Sequence, residues 1–355
     1  MEKNVTNNFF YGKNESKIIN GVAIILMMIH HFFGFPNWLL PNNSFEYIFP
    51  IEQTSIPQIL ANFGKICVSI YAFNSGFIFG KKKSNFDTIK KRFLRGFNFL
   101  ISYWSIFILF IIYASITHEK IPLGLNFFFN LIGLNTAPHM PFVNVVFSWY
   151  VAFYLFWLIS APLFSKVFNK INKKFHDVIL LILICILIKF IIIKIPLLTF
   201  ISPTGAAITG FLCAKYNTFE WLSSHLKINW WNAILILILL ITIRENLALI
   251  NIVQIGFEDG VLSTIFIFII ISIYTRYKLK KTAALFSFLG IYSMNLWYLH
   301  GIFFTGNCNL QWILYLPSFW ILILIWGIII LLPLAILCNK LQNLTKNSFT
   351  FYSSI

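Results

Sequence analysis

Charged residues are scarce in this chain. Asp, Glu, Lys and Arg make up 11% of its 355 residues, against about 25% in a soluble globular protein. Hydrophobic residues make up 59%, an excess that needs lipid as its solvent. Acidic residues are the scarcest, 11 against 27 Lys and Arg, leaving a net charge of +16. A surplus of that sign suggests nucleic acid when taken alone. Here the positive charges lie in blocks between apolar segments, the pattern that sets topology in membrane proteins, so no nucleic-acid partner is expected.

Other absences narrow the field. The five cysteines (Cys67, Cys185, Cys213, Cys308 and Cys338) show no CxxC spacing. That removes a zinc framework and a disulfide scaffold, so they read as core residues and no metal is expected. The first 17 residues are polar, and no small-residue cleavage site follows the first apolar segment, which is therefore read as a retained signal anchor. No Gly-x-Ser-x-Gly elbow is present, which argues against a serine-hydrolase route. No internal repeat is visible, which weighs against transporters built from inverted repeats.

What is present is a series of apolar runs. They predict an all-α, polytopic helix bundle with about ten spans: 18–35, 60–80, 96–116, 145–164, 178–195, 198–214, 230–243, 262–274, 284–304 and 318–338. The stretch 123–134 is too short to cross and carries Asn126 and Asn130, so it is placed as an interfacial or re-entrant helix. The expected organisation is a tail at 1–17, one membrane domain at 18–338 and a second tail at 339–355. With the N-terminus inside, 22 of the 27 basic residues fall on the cytoplasmic side, which fixes orientation and puts both termini inside. The outer loops carry Glu46, Glu52, Glu119, Glu245, Glu258 and Asp259 and do not look built for an anionic polymer. Abundant Phe, Ile, Asn and Lys suggest an AT-rich bacterial genome, and the expected location is the bacterial plasma (inner) membrane.

Ionisable groups inside spans are costly and mark function. His30 and His31 lie in the outer half of the first span, and imidazole is the side chain best suited to move protons near neutral pH. Asn20 sits eleven residues before His31, on nearly the same helical face and roughly 16 Å lower. In the ninth span, Ser293, Trp297 and His300 share a face at offsets of four and three, and His300 ends at the depth of His31. At the cytoplasmic entry to the third span, Lys91, Arg92 and Arg95 belong to a basic block. Arg92 and Arg95 are i,i+3 neighbours that form a fork suited to phosphate, although such a block also serves as ordinary topology anchoring. Lesser features are Asn74-Ser75-Gly76, where glycine permits close helix approach, and Trp149 at an outer interface. Pro203-Thr204-Gly205 fits a kink or a broken-helix site, the kink being preferred, and Lys189 is read as a side chain reaching outward from lipid.

Together these segments resemble the acyltransferase 3 family of ten-span bacterial membrane proteins. INGVAIILMMIHHFF (19–33) is similar to the family's first span, with His31 on its important histidine. VSIYAFNSGFIFG (68–80) resembles the second span, Arg92–Arg95 its RxxR element, and Leu289–His300 its late G-x-x-S-…-H span. Two positions depart from the pattern. Asn20 stands where the family carries a basic residue, with Lys17 one turn earlier, and Tyr154 stands near where a carboxylate is common. The resemblance implies transfer of an acyl group, usually acetyl, from cytoplasmic acyl-CoA to a sugar hydroxyl at the outer face. The expected catalytic residues are then His31 with His30 and His300. Lys91, Arg92 and Arg95 would bind the acetyl-CoA phosphates, and Ser293, Asn295 and Trp149 would support the glycan acceptor. Acyl-CoA, a surface polysaccharide and membrane lipid are the expected partners; the oligomeric state stays open. A transporter or flippase of a lipid-linked sugar is the alternative, and a polysaccharide polymerase ranks last.

Overall fold

The computed structural model describes residues 11–35, 55–81, 89–118, 121, 123–134, 149–171, 173–249, 256–304 and 310–352. Among the described residues the regular structure is entirely helical, and nine segments are long and apolar enough to cross a membrane. Cys308, Glu46, Glu52 and Glu119 lie outside the described residues.

The first four helices are α1 (Lys13–Phe33), α2 (Ile56–Gly64), α3 (Ile66–Lys81) and α4 (Ile89–Ile116). The predicted second span is thus two helices, broken at Lys65. Next come the short α5 (Leu125–Leu131), α6 (Trp149–Ile171) and α7 (Lys174–Lys194). A 3₁₀ turn at Pro196–Ile201 then leads into α8 (Thr204–Lys215). Pro203 caps α8, so the predicted kink in the sixth span is a break. A proline ring removes a donor and clashes with the preceding turn, which ends the 3₁₀ segment before α8 begins. After α9 (Thr218–His225) follow α10 (Trp230–Leu249), α11 (Phe257–Tyr277) and α12 (Lys280–Leu299). His300–Phe303 forms a 3₁₀ turn, so the predicted ninth span ends as α-helix at Leu299 rather than at Phe304. α12 holds 20 residues, about 30 Å, enough to span although its polar residues keep it outside the nine. The short α13 (Gln311–Leu314) precedes α14 (Trp320–Tyr352), which runs well past the predicted end at Cys338.

Glycine fixes which helices touch. A Cβ at Gly21 would lie 1.8 Å from the Phe286 carbonyl oxygen, and one at Gly290 would lie 1.9 Å from that of Lys17. α1 and α12 are therefore in backbone contact. The same device joins α3 to α8, where a Cβ at Gly76 would lie 1.8 Å from Ala207 O and one at Gly210 would lie 2.1 Å from Phe73 O. Without a hydrophobic drive between helices in lipid, close approach through small residues holds a bundle together. The interior follows: 72% of the Pro196–Lys215 window is buried, against 17% of the Trp230–Leu247 window. α7, α10 and α14 instead turn large apolar side chains outward, Leu183, Leu235 and Ile329 among them, as a lipid-facing layer requires.

α5 is re-entrant. Tyr103, midway along α4, donates its hydroxyl to the Asn130 carbonyl at 2.7 Å, and Trp104 Nε1 donates to Leu131 O at 2.8 Å. These bonds satisfy helix-end carbonyls at membrane depth, where no water is available to do so.

Candidate active site

The strongest geometric finding joins α1 to the end of α12. The rings of His31 and His300 have centroids 4.7 Å apart, and those of His30 and His31 are 4.9 Å apart. His300 is fully buried. Its Nδ1 bonds the Trp297 carbonyl, and His30 Nδ1 bonds the Ala61 carbonyl at 2.8 Å. A carbonyl only accepts, so each Nδ1 is the donor, and the proton-free nitrogen of each neutral ring is Nε2. His30 is thereby tied to α2, and Gly64 packs on it: a Cβ there would lie 3.3 Å from His30 Cβ.

Toward the end of the bundle that carries the Lys and Arg blocks (the basic end), a cavity of about 320 Å³ opens beside this cluster. Tyr71, Tyr150, Tyr154, Phe99, Ser293 and Trp297 line it, with Asn20 and Asn74 nearer the basic end. Three of its rings pack together, with centroids 5.4 Å apart for Tyr71–Trp297 and 5.7 Å for Tyr150–Trp297, and Trp297, whose carbonyl accepts from His300, links this wall to the histidines. Asn20 Oδ1 accepts from Asn74 Nδ2 at 2.7 Å, Tyr71 OH donates to Asn20 O at 3.1 Å, and Tyr11 OH donates to Asn74 Oδ1. At the departure position, then, Asn20 is a neutral amide in a polar chain that needs no countercharge. Tyr154, at the other departure, packs its ring 4.3 Å from Phe99.

The basic fork stands on the same stripe of α4 as Phe99. Arg95 precedes Phe99 by four residues and Arg92 by seven, which places all three on one helical face. Arg95 is within electrostatic reach of Tyr154. Arg92 Nε is buried with no hydrogen-bond partner among the described residues. Lys91 lies one residue further round and is exposed.

The predicted substrate-side residues separate. Ser293 lines the cavity and donates to Gly290 O at 3.0 Å. Asn295 faces away from it. Its Nδ2 donates to Ala335 O at 3.2 Å and its Oδ1 accepts from Gln342 Nε2 at 2.9 Å, tying α12 to α14. Trp149 lines a different cavity, nearer the N-terminal end of α3. Tyr71 and Tyr150 are cavity residues that sequence reasoning passed over. The available signal was the polar stripe of α3, in which Tyr71, Asn74 and Ser75 are three and four residues apart.

Comparison with known proteins matches this arrangement to one family. A family model described as an acyltransferase domain matches residues 17–340. No curated protein and no solved structure matches the chain. The matched region runs from within α1 into α14 and contains His31, His300 and the Arg92–Arg95 fork, and the chain belongs to the acyltransferase 3 family, as a polytopic membrane acyltransferase.

Proposed function

We propose that this enzyme moves an acyl group, acetyl in the first instance, from cytoplasmic acyl-CoA to a hydroxyl of a cell-surface polysaccharide or its precursor. The observation that carries the reading is the contact of His31 with His300, whose ring bonds the carbonyl of Trp297, a wall residue of the tyrosine-lined cavity.

The positive-inside rule assigns the basic end to the cytoplasm. Arg92 and Arg95 then stand where the phosphates of CoA arrive, with Lys91 beside them. Guanidinium pairs bind phosphate through parallel charge-assisted bonds, and the unsatisfied Arg92 Nε gains a partner on binding. The cavity between Phe99 and Trp297 receives the pantetheine arm and brings the thioester to the imidazoles.

His31 accepts the proton of the sugar hydroxyl, whose oxygen attacks the thioester carbonyl. Collapse of the tetrahedral intermediate breaks the C–S bond. The CoA thiolate takes the proton back from the imidazolium, leaving an ester and free CoA. His300 adjoins His31, and its Nε2 offers a second site for the same proton. General-base catalysis of this kind contributes roughly 10²–10⁴-fold. Tyr150 lines the cavity, and its hydroxyl is the donor assigned to the developing oxyanion, while Ser293 supports the acceptor.

The test uses the purified protein in proteoliposomes loaded with a sugar acceptor, with labelled acetyl-CoA supplied on the side of the basic end. The reading predicts label covalently attached to the sugar. Movement of sugar without covalent change would replace it with transport.

A further inference from the structure

At the end of the bundle opposite the Lys and Arg blocks lies a second cavity of about 300 Å³. Lys65, Lys189, Trp149, Ser69, Thr199 and Asp259 are among the residues lining it. Its volume sits at the low end of the roughly 300–1,000 Å³ common for ligand sites, which suits one sugar unit. Lys65 stands at the break between α2 and α3, and Lys189 is the sixteenth residue of α7. Among the described residues neither lysine has a carboxylate within ion-pairing distance. Asp259, the acid lining the cavity, is held by Arg244 at 3.0 Å. Asp259 is also within electrostatic reach of Lys65, so one carboxylate stands against Lys65, Lys189 and Arg244, and that cationic excess is costly in a membrane span without a further counter-ion. Their placement also revises two sequence expectations: Lys189 turns into a cavity rather than only reaching out from lipid, and the side with acidic loops contains a cationic pocket.

We infer that this pocket binds an anionic saccharide, one carrying a phosphate or a carboxylate, through Lys65 and Lys189, with Trp149 as the flat surface for the sugar ring. Ammonium groups meet such oxygens by charge-assisted hydrogen bonds, and Thr199 and Ser69 add hydroxyls for neutral sugar positions. The pocket lies close to the histidines. Lys65 follows Gly64, which packs on His30, and the Trp149 ring is 6.3 Å from that of Tyr150, which lines the other cavity. Identifying this saccharide as the acyl acceptor rests on the acyl-transfer reading; its binding does not.

The experiment measures binding of glucose 1-phosphate, glucuronate and glucose to the full-length protein in nanodiscs of phosphatidylcholine. A charged sugar is expected to bind about tenfold more tightly than glucose, the size of one charge-assisted bond. Phosphate and carboxylate preferences distinguish the two sources of charge, and either supports the proposal. Lys65→Gln combined with Lys189→Gln is expected to remove the preference, and Lys65→Arg with Lys189→Arg to retain it. CoA binding, at the other end of the bundle, serves as the folding control and is expected to be unchanged. Equal binding of charged and neutral sugars, or a preference that survives the double Gln variant, would overturn the proposal. So would loss of glucose 1-phosphate binding in phosphatidylglycerol nanodiscs, which would make the occupant a lipid headgroup. Failure of the wild type to bind CoA would count against the acyl-transfer reading alone.

Discussion

His31 and His300 meet ring against ring, 4.7 Å between centroids, although one lies near the start of the chain and the other near its end. The contact exists because α1 and α12 lie backbone to backbone through Gly21 and Gly290. The packing and the chemistry are therefore linked, and a change to the glycines reaches the imidazoles.

The glycine contacts are the simplest part to test. Gly76→Ala places a methyl group where Ala207 O already stands. Overpacking of this kind costs about 1–3 kcal/mol. Gly96→Ala is the control, since its Cβ would meet Leu155 Cδ2 at an ordinary 3.5 Å. Thermal unfolding in detergent is expected to fall for Gly76→Ala and to hold or rise for Gly96→Ala.

The arginine fork makes a kinetic prediction. If Arg92 and Arg95 hold the CoA phosphates, the double Ala variant loses binding shared by ground and transition states, so KM rises and kcat changes little. Loss of one or two charge-assisted bonds corresponds to about tenfold or more in KM for acetyl-CoA. Initial rates at varied acetyl-CoA settle the point, and an unchanged KM removes the pair from donor binding.

Asn295 separates architecture from chemistry. Its side chain bonds Ala335 O and Gln342, so Asn295→Ala is expected to cost about 1 kcal/mol of stability per lost bond. The KM for the acceptor is expected to stay unchanged. A raised acceptor KM with unaltered thermal stability would place Asn295 in the binding site instead.

Much of this was legible in the residues. Spans followed from apolar runs, and the His31 and His300 depths followed from counting along helices whose direction the lysines fix. The stretch at 123–134 announced itself as non-crossing by being too short, with interfacial and re-entrant placements both open. The redirected Asn295 was hidden because helical period places a side chain on a face, but only packing decides which neighbour that face meets. Lys65 and Lys189 lie far apart in sequence, and nothing local marks them as partners. Tyr71 was unmarked within its apolar run and Tyr150 stood beside Trp149 at the outer interface, and the cavity they line depends on Trp297 arriving from a third helix.

The most direct measurement is transfer of labelled acetyl from acetyl-CoA to the surface glycan in membranes containing His31→Ala at wild-type protein levels. Loss of the base predicts a fall of at least about 10²-fold, with His300→Ala also impaired and both proteins still folded. Wild-type transfer by His31→Ala would contradict an imidazole at the centre of this reaction.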